Sequence, residues 1–216
     1  KEPGNRAFQF GLANSHLRLA ELKSLTSDYD GALKDYAAGF KIATRHAALE
    51  PSNFAWLAAL GLAERGIATC LREKGRHAEA LARAHSALER SVRLAGRDAE
   101  NVVLQVEAYH ARDVVTSIYL AQGDDRKAIE SLIALTELAA RIGATGKATP
   151  DWEHNLVIDY SKLAMAQRRV GDKIKSLKAL NAGRAIVARL LARSPDNAKW
   201  QRDLAWYDAQ ISGAAQ

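Results

Sequence analysis

One phrase of 48 residues recurs four times along this chain of 216 residues, and the recurrence constrains the fold more than any other feature. Its clearest marker is an Ala-Leu pair that returns at constant spacing, without insertion or deletion. The four copies are Ala32-Leu33, Ala80-Leu81, Ala128-Ile129 and Ser176-Leu177. A strict period of this length is typical of stacked repeats, in which each unit buries its apolar face against its neighbours. The chain is therefore predicted to be an array of similar structural units.

The first half of each repeat is predicted to be a helix of about 20 residues, roughly 30 Å long. Asn and Thr side chains, which cap helix N-termini, recur where each repeat begins: Asn5, Asn53, Asn101, Thr149 and Asn197. Pro3, Pro51 and Pro195 stand two positions earlier, and Pro150 takes the first helical position. Apolar residues follow each cap by 3, 7 and 14 positions, which places them on one helix face. They are Phe8, Trp56, Leu104, Trp152 and Trp200, then Leu12, Leu60, Ala108, Leu156 and Leu204, then Leu19, Ile67, Val115 and Leu163.

The second half of each repeat is predicted to be another helix. The column Ser27, Gly75, Gly123 and Gly171 ends the first helix in a left-handed turn. Asp28, Asp124 and Asp172 then cap the second helix, whereas Arg76 breaks this pattern. A column of mostly small residues in the second helix allows the paired helices to approach closely: Gly39, Ala87, Leu135 and Gly183. A column of cations near the end of the second helix complements the helix dipole: Arg45, Arg93, Arg141 and Arg189.

The predicted fold class is all-α, a solenoid of four helix pairs plus a C-terminal helix in one domain, 1–216. The repeats span about 3–50, 51–98, 99–146 and 147–194, and the terminal helix about 198–212. That helix mixes apolar Trp200, Leu204 and Trp206 with polar residues, which suits an end piece of a stacked array. The alternative is that the array is cut here from a longer one.

Composition narrows the class of protein. Hydrophobic residues make up 48% of the chain, which is typical of globular proteins. No apolar run approaches the roughly 20 residues that span a bilayer. Cys70 is the single cysteine, so an internal disulfide is excluded and a structural thiol is predicted. The sequence starts at Lys1 without methionine, so a processed or excised piece is expected. A cytoplasmic location is the working expectation, although a signal peptide could have been removed.

These residues resemble the tetratricopeptide repeat (TPR) family. The match rests on the Gly123-Asp124 to Ala128-Ile129 stretch and on the join from Ser194 to Leu204, which is similar to a long-helix bacterial variant. The resemblance covers nearly the whole chain, but the aromatic residue expected on the first helix is lost at Glu64 and Arg112. It implies a right-handed superhelix whose first helices line a concave groove for peptides or protein segments. In bacteria, similar regions are joined to signalling or effector domains.

The resemblance also implies which residues face the groove. They are Asn14, Leu17 and Glu21 in the first repeat, Leu62, Arg65, Thr69 and Arg72 in the second, His110, Asp113 and Ser117 in the third, and Ile158, Ser161, Met165 and Arg168 in the fourth. The Lys and Asn clamp of the family's known peptide binders is not reproduced at these positions.

No motif for chemistry is present, so the chain is predicted not to be an enzyme and to need no cofactor or metal. Glu153-His154 and His77-x-Glu79 lack partners at metal-ligand spacing, and the six histidines are expected at helix surfaces. Asp124-Asp125 is interpreted as a cap and a first-turn acid. The three tryptophans at positions 56, 152 and 200 are interpreted as core. The Arg column could clamp acidic segments, but helix-end cations are the favoured interpretation.

Charge is unevenly distributed. The chain carries a net charge of +6, and the segment 161–193 holds nine Lys or Arg against one acid, Asp172. A solvated face explains this segment most simply; an acidic protein partner is next, and nucleic acid is last because no aromatic residue lies there.

Together these observations predict a non-catalytic protein–protein interaction scaffold. The alternative is a regulatory or spacer region within a larger bacterial signalling enzyme, and nucleic-acid binding through the fourth helix pair is the third reading. No membrane partner is expected, and homo-oligomers through the open repeat ends are a further possibility.

Overall fold

The computed structural model describes residues 5–145 and 150–214, so Pro3 and Thr149 lie outside the described residues. Within these ranges the chain forms nine helices and no strand, which confirms the all-α prediction. The helices are α1 Arg6–Leu25, α2 Tyr29–Leu49, α3 Phe54–Glu73, α4 His77–Arg97, α5 Val102–Gln122, α6 Asp125–Ala144, α7 Pro150–Arg169, α8 Lys173–Arg193 and α9 Ala198–Ala214.

The helices fall into two compact units. Unit 1 ends at Ile118 and unit 2 begins at Tyr119, so the boundary lies within α5. In unit 1, α1 packs on α2, α3 packs on both of them, and α4 packs on α3. In unit 2, α6 packs on α7, α7 on α8, and α8 on α9. Most helix contacts in each unit therefore join helices that follow each other in sequence, and the contact of α3 with α1 joins successive first helices, as a stack of helix pairs predicts.

Helix ends follow the predicted columns. Asn5, Asn53 and Asn197 accept hydrogen bonds from backbone N–H groups of the following turn. Among the second helices, α2, α6 and α8 have an aspartate cap, whereas Arg76 caps α4 with no side-chain hydrogen bond. The backbone at Gly75, Gly123 and Gly171 has φ between 71° and 82°, the left-handed region. Ser27 has φ 62° at the equivalent position of the first repeat, and this backbone conformation is unfavourable for residues other than glycine.

The aromatic column forms part of the core, as predicted. Trp56, Trp152 and Trp200 are buried. Trp56 stacks on the His46 ring at 4.4 Å between centroids, which ties α3 to α2. Trp152 donates an indole hydrogen bond to the Ala139 carbonyl at 3.2 Å, which ties α7 to α6. The aromatic residues therefore stabilise the passage from one repeat to the next.

The first repeat departs from this pattern. Periodicity places Phe8, Leu12 and Leu19 on one face of α1, but this face is not buried, since the three side chains are 49%, 37% and 44% exposed. The equivalent side chains of α3 are buried because α3 packs on α1 and α2. Among the described residues of unit 1, no helix precedes α1 to cover the same face.

Two glycines of the small-residue column permit close helix contacts. A Cβ atom at Gly39 would lie 2.7 Å from Leu17 Cδ2, and one at Gly183 would lie 2.7 Å from Tyr207 Cε1. Gly66 plays the same part under the Tyr36 ring, although the repeat pattern did not single it out. Burial raises the pKa of Tyr36 to about 12.

Helix α3 corrects one expectation from composition. By its length and composition alone, this helix could cross a membrane. However, more than half of its apolar stretch is buried within the protein, as in the core helix of a soluble fold. Its apolar character is explained by packing, since it contacts α1, α2 and α4.

Candidate functional site

The groove positions predicted on α1 do not form a site together. Leu17 is only 1% exposed and packs against Gly39 of α2, so it belongs to the core and its assignment to the groove is wrong. Asn14 is half-buried on the same helix. Glu21 is half-buried and forms an ion pair with Arg18 at 3.1 Å.

The groove positions predicted on α3 and α5 do meet in unit 1. Arg65 forms an ion pair with Glu107 across the two helices. About two turns further along α3, Arg72 Nη1 donates a hydrogen bond to Ser117 Oγ at 2.6 Å. Thr69 lies on the α3 face between the two arginines and is half-buried. The result is a polar strip in which each guanidinium already has a protein partner.

His110 lies in this strip as an uncharged group at neutral pH. Burial and the nearby Arg65 guanidinium hold the pKa of His110 below its usual value, although the Glu107 and Asp113 carboxylates act in the opposite direction. The strip therefore offers a neutral imidazole, the hydroxyls of Thr69 and Ser117, and two engaged arginines. Such a surface can hydrogen-bond an extended backbone but has little charge to spare.

The groove positions predicted on α7 line a cleft in unit 2. Ser161 and Met165 lie along a cleft of about 720 Å³. The end of α5 and the turn after it form the opposite side, with Leu120 contributing apolar surface. The remaining side chains at its edge include Lys162, Asp125 and Arg169. Ile158, a further groove position on α7, is 39% exposed.

A bidentate ion pair forms part of the lining of this cleft. Arg169 Nε lies 2.9 Å from both carboxylate oxygens of Asp125, and Arg169 Nη2 lies 2.6 Å from Asp125 Oδ1. The hydrogen bonds from Arg169 lower the pKa of Asp125, and Asp125 raises the pKa of Arg169. Asp125 was interpreted as a first-turn acid of α6, and it is also the anchor that fixes Arg169 beside the cleft.

Arg168 is the exposed cation next to the cleft. Its Nη1 donates to Gln210 Oε1 at 3.1 Å, and its Nη2 contacts the Met165 sulfur at 3.3 Å. Both contacts are to neutral groups, so the charge of Arg168 is not compensated by them. A carboxylate bound beside Met165 would gain a charge-assisted hydrogen bond here.

The positive charge of the segment 161–193 is largely paired in the structure. Six of its nine cations lie within 4.0 Å of a carboxylate. Four of the five acids that pair with them, Asp125, Glu153, Asp159 and Asp208, lie outside the segment and were not visible in its local charge sum. Arg168, Lys173 and Lys178 have no ion pair among the described residues.

The Arg column lies at helix ends, as the favoured interpretation requires. Arg45, Arg93, Arg141 and Arg189 are all exposed near the C-termini of α2, α4, α6 and α8. Arg93 approaches Glu89 at 4.0 Å, and Arg189 approaches Glu153 at 3.0 Å. Whether this column also binds acidic segments stays a prediction.

The residues considered for chemistry have structural partners. Cys70 is buried, its Sγ lies 3.8 Å from Ser24 Oγ, and burial raises the pKa of its thiol. Glu153 pairs with Arg189 and Arg193. Among the residues that the structure describes, no group of three His, Cys, Asp or Glu side chains is arranged to hold a metal ion.

The prediction that histidines occupy helix surfaces is wrong for two of them. His46 and His154 are 8% and 4% exposed. His154 Nε2 lies 2.6 Å from Asp203 Oδ2 of α9, and His46 lies under Trp56. A polar residue is buried in each case because an aromatic ring or a carboxylate covers it.

Several contact residues were missed by reading the sequence. Glu107, Lys162 and Leu120 surround the predicted groove positions but vary between repeats and were not singled out. A usable signal was present, because contacts between successive first helices join residues 42 to 49 apart. Arg65–Glu107, Arg72–Ser117 and His154–Asp203 are examples.

Stacked antiparallel helix pairs with these caps and turns define a helical repeat fold of the TPR type, and the resemblance read from the sequence is confirmed at that level. The apo form of RapI is similar with a TM-score of 0.65 and 13% sequence identity, over 87% of this chain and 59% of RapI. A putative kinesin light chain from Podosopora anserina with TPR-like repeats is similar with a TM-score of 0.62 and 17% identity, over 96% of this chain and 91% of that one. This chain therefore spans about three-fifths of the length of RapI. No protein-family model and no curated protein sequence matches the chain.

Proposed function

We propose that this chain is a non-catalytic scaffold that binds an acidic segment of a partner protein in the α7 cleft. This cleft is lined by Ser161, Met165, Leu120 and the Arg169–Asp125 pair, and Arg168 lies beside it in contact with Met165. The proposal rests on the agreement of two independent observations, the phase of the residues in the repeat and the position of the cleft. Ser161 and Met165 were selected by their phase in the repeat, and both line the cleft of about 720 Å³. That volume falls in the range of ligand pockets in proteins.

The chemistry of the cleft favours an acidic segment that also carries an apolar side chain. Leu120, Ala121 and Met165 provide apolar surface, and methionine adapts to side chains of different shape. Arg168 supplies the uncompensated cation beside it. Arg169 is pre-oriented by Asp125 and keeps donors in its planar fork for a second acceptor.

The polar strip of unit 1, formed by Arg65, Thr69, Arg72, His110, Asp113 and Ser117, is proposed as a second contact surface for extended protein backbone. Its arginines are engaged by Glu107, Glu73 and Ser117. A ligand must therefore displace a protein partner to use their charge, which makes this strip the weaker of the two surfaces.

Pairing of six of the nine cations in the segment 161–193 argues against nucleic acid as the main ligand. Nucleic-acid surfaces present several unpaired cations along a continuous path, often with aromatic side chains for stacking. Here Arg168 is the unpaired cation nearest the cleft, and no aromatic residue lies in the segment.

Peptide display with the full chain tests the proposal. Selected peptides are expected to be enriched in Asp or Glu next to a Leu, Ile or Phe, and fluorescence anisotropy then gives their affinity. Arg168→Glu should weaken binding at least about tenfold, since a charge-assisted hydrogen bond becomes a repulsion. Arg202→Glu is the matched control, because Arg202 is an exposed cation of α9 that does not line the cleft. Equal binding by both variants, or selection of peptides without acids, would refute the proposal.

A further inference from the structure

The outer face of α1 carries an apolar seam. Phe8, Leu12, Leu19 and Leu22 are 49%, 37%, 44% and 62% exposed, with exposed Ser15 midway between them. Their spacings are four, three, four and three residues, so all five side chains lie on one side of the helix. We call these five residues the α1 seam. Exposed apolar patches that are continuous in this way mark interaction surfaces.

The same register is buried in α3, where other helices cover it. In α3 the equivalent residues are Trp56, Leu60, Ala63, Ile67 and Cys70, none more than 8% exposed. They pack because α3 sits against α1 and α2. The α1 seam thus has the composition of a packed surface, and in the part of unit 1 that the structure describes no helix lies over it. An apolar helix is the natural occupant.

The pattern of the α1 seam fits a second copy of itself. The alternating spacings of four and three residues are those of the d and a positions of a coiled coil. Packed antiparallel about a two-fold axis at Ser15, the seam sets Phe8 opposite Leu22, and Leu12 lies within one residue of the level of Leu19 on the partner helix. The small Ser15 side chain lies on the axis, where the helices approach most closely. Isologous contacts of this kind are the commonest basis of protein dimers.

Charge does not oppose the same arrangement. With a two-fold axis at Ser15, two residues lie opposite each other when their residue numbers add up to 30. The cations Arg6, Arg18 and Lys23 then lie opposite Ser24, Leu12 and Ala7. Glu21 lies opposite Gln9. The antiparallel register therefore places no like charges directly against each other.

We propose that the chain forms a weak homodimer through the α1 seam, with the two α1 helices antiparallel. The exposed parts of the four large side chains offer on the order of 400 Å² per protomer, about half of a standard interface of roughly 800 Å² per partner. A dissociation constant in the range of about 10 to 100 μM is expected, because interfaces of this size are transient.

Sedimentation velocity between about 1 and 300 μM tests the proposal. The apparent mass should rise from 23.5 kDa towards twice that value. Leu19→Glu with Leu22→Glu should keep the chain monomeric throughout, and circular dichroism should be unchanged because both side chains are largely exposed. Ile174→Glu is the matched control, since Ile174 is 85% exposed on α8 and its replacement should leave the dimer intact. A monomer at every concentration, or a dimer that persists in the double variant, would overturn the proposal.

Cross-linking tests the two-fold register. Ser15→Cys should form a covalent dimer under mild oxidation at least about tenfold faster than Ser86→Cys, which is also at an exposed position, on α4. The native Cys70 is buried and should stay unreactive in both. Equal rates for the two variants would overturn the antiparallel arrangement. A wild-type chain that stays monomeric but binds a helical hairpin of another protein over the α1 seam would overturn the choice of a second copy.

Discussion

Replacing Gly183 with alanine should loosen the attachment of α9 to α8. A Cβ atom at this position would lie 2.7 Å from Tyr207 Cε1 and would also overlap the Tyr207 Cζ and hydroxyl oxygen. The ring cannot move aside easily, because Tyr207 is 1% exposed and donates a hydrogen bond to the Val157 carbonyl at 2.5 Å. The clash must therefore shift α9 or α8.

The magnitude follows from two opposing effects. Inserting a methyl group into a close-packed contact costs typically about 1–3 kcal/mol. Alanine in place of glycine within a helix gains up to about 1 kcal/mol. The net free energy of unfolding should therefore fall by about 1–2 kcal/mol for Gly183→Ala. Gly11→Ala in α1 should instead stabilise by about 0.5–1 kcal/mol, because no other side chain or distant backbone atom lies within 4 Å of a Cβ atom there.

Urea unfolding followed by tryptophan fluorescence measures this difference, with Trp200 and Trp206 reporting on α9 itself. In a Tyr207→Ala background the clash is absent, so Gly183→Ala should become neutral or stabilising. This reversal of sign separates the packing effect from any general intolerance of Gly183. If Gly183→Ala stabilises the wild-type chain as much as Gly11→Ala does, the reasoning about close helix approach is refuted.

Three further predictions concern stability. Ser27→Gly should raise the free energy of unfolding by about 1 kcal/mol, and Gly75→Ala should lower it by a similar amount, because both positions adopt a left-handed backbone. Thermal unfolding measures both changes, and a Ser27→Gly variant with unchanged stability would contradict this reasoning. Glu64→Gln should lower the free energy of unfolding by about 2 kcal/mol, because the Glu64 side chain is 4% exposed and pairs with Arg90, which is about one-fifth exposed. Glu89→Gln, at an exposed ion pair, is the control and should change the urea midpoint little. The free energy of unfolding should fall as the pH is lowered from about 7 to 5, in part because the pKa of His110 is lowered in the folded chain and the unfolded chain therefore binds a proton first. His110→Asn should make stability depend less on pH in this range. An unchanged pH dependence would contradict the role given to His110.

The helix pairs could be predicted from the sequence because their determinants are local. Asn and Asp caps act on the next turn, and the left-handed column at Gly75, Gly123 and Gly171 acts at a single residue. These signals recur at equivalent positions when the repeats are aligned, so they can be recognised without knowledge of the tertiary structure. Ser27 follows the same geometry although its side chain opposes it, which shows that the repeat frame overrides local preference.

Contacts between repeats could not be predicted in the same way. Tyr207 reaches Gly183 and Tyr36 reaches Gly66, but the members of each pair stand in different columns of the repeat. An alignment shows which residues are equivalent without showing which columns meet. The same limitation assigned Leu17 to the groove, since phase along one helix does not reveal that α2 approaches so closely at Gly39.

The α7 cleft was predicted in part. Ser161 and Met165 follow from phase, whereas Leu120 at the end of α5 and Asp125 at the start of α6, which pairs with Arg169, come from other helices. Asp125 and Arg169 are 44 residues apart, within the range that recurs for contacts between successive first helices. Searching for opposite charges at this separation would have identified the pair from the sequence.

Nuclear magnetic resonance mapping of a peptide selected by display tests the central claim most directly. Titration into the ¹⁵N-labelled chain should shift backbone amides of 161–169 in α7 and of 120–125 on the opposite side of the cleft. Amides around the Arg column, at positions 45, 93, 141 and 189, should stay in place because those residues serve helix ends. Shifts confined to the Arg column, with the α7 cleft unchanged, would contradict the claim that the partner is bound by residues that differ between the repeats.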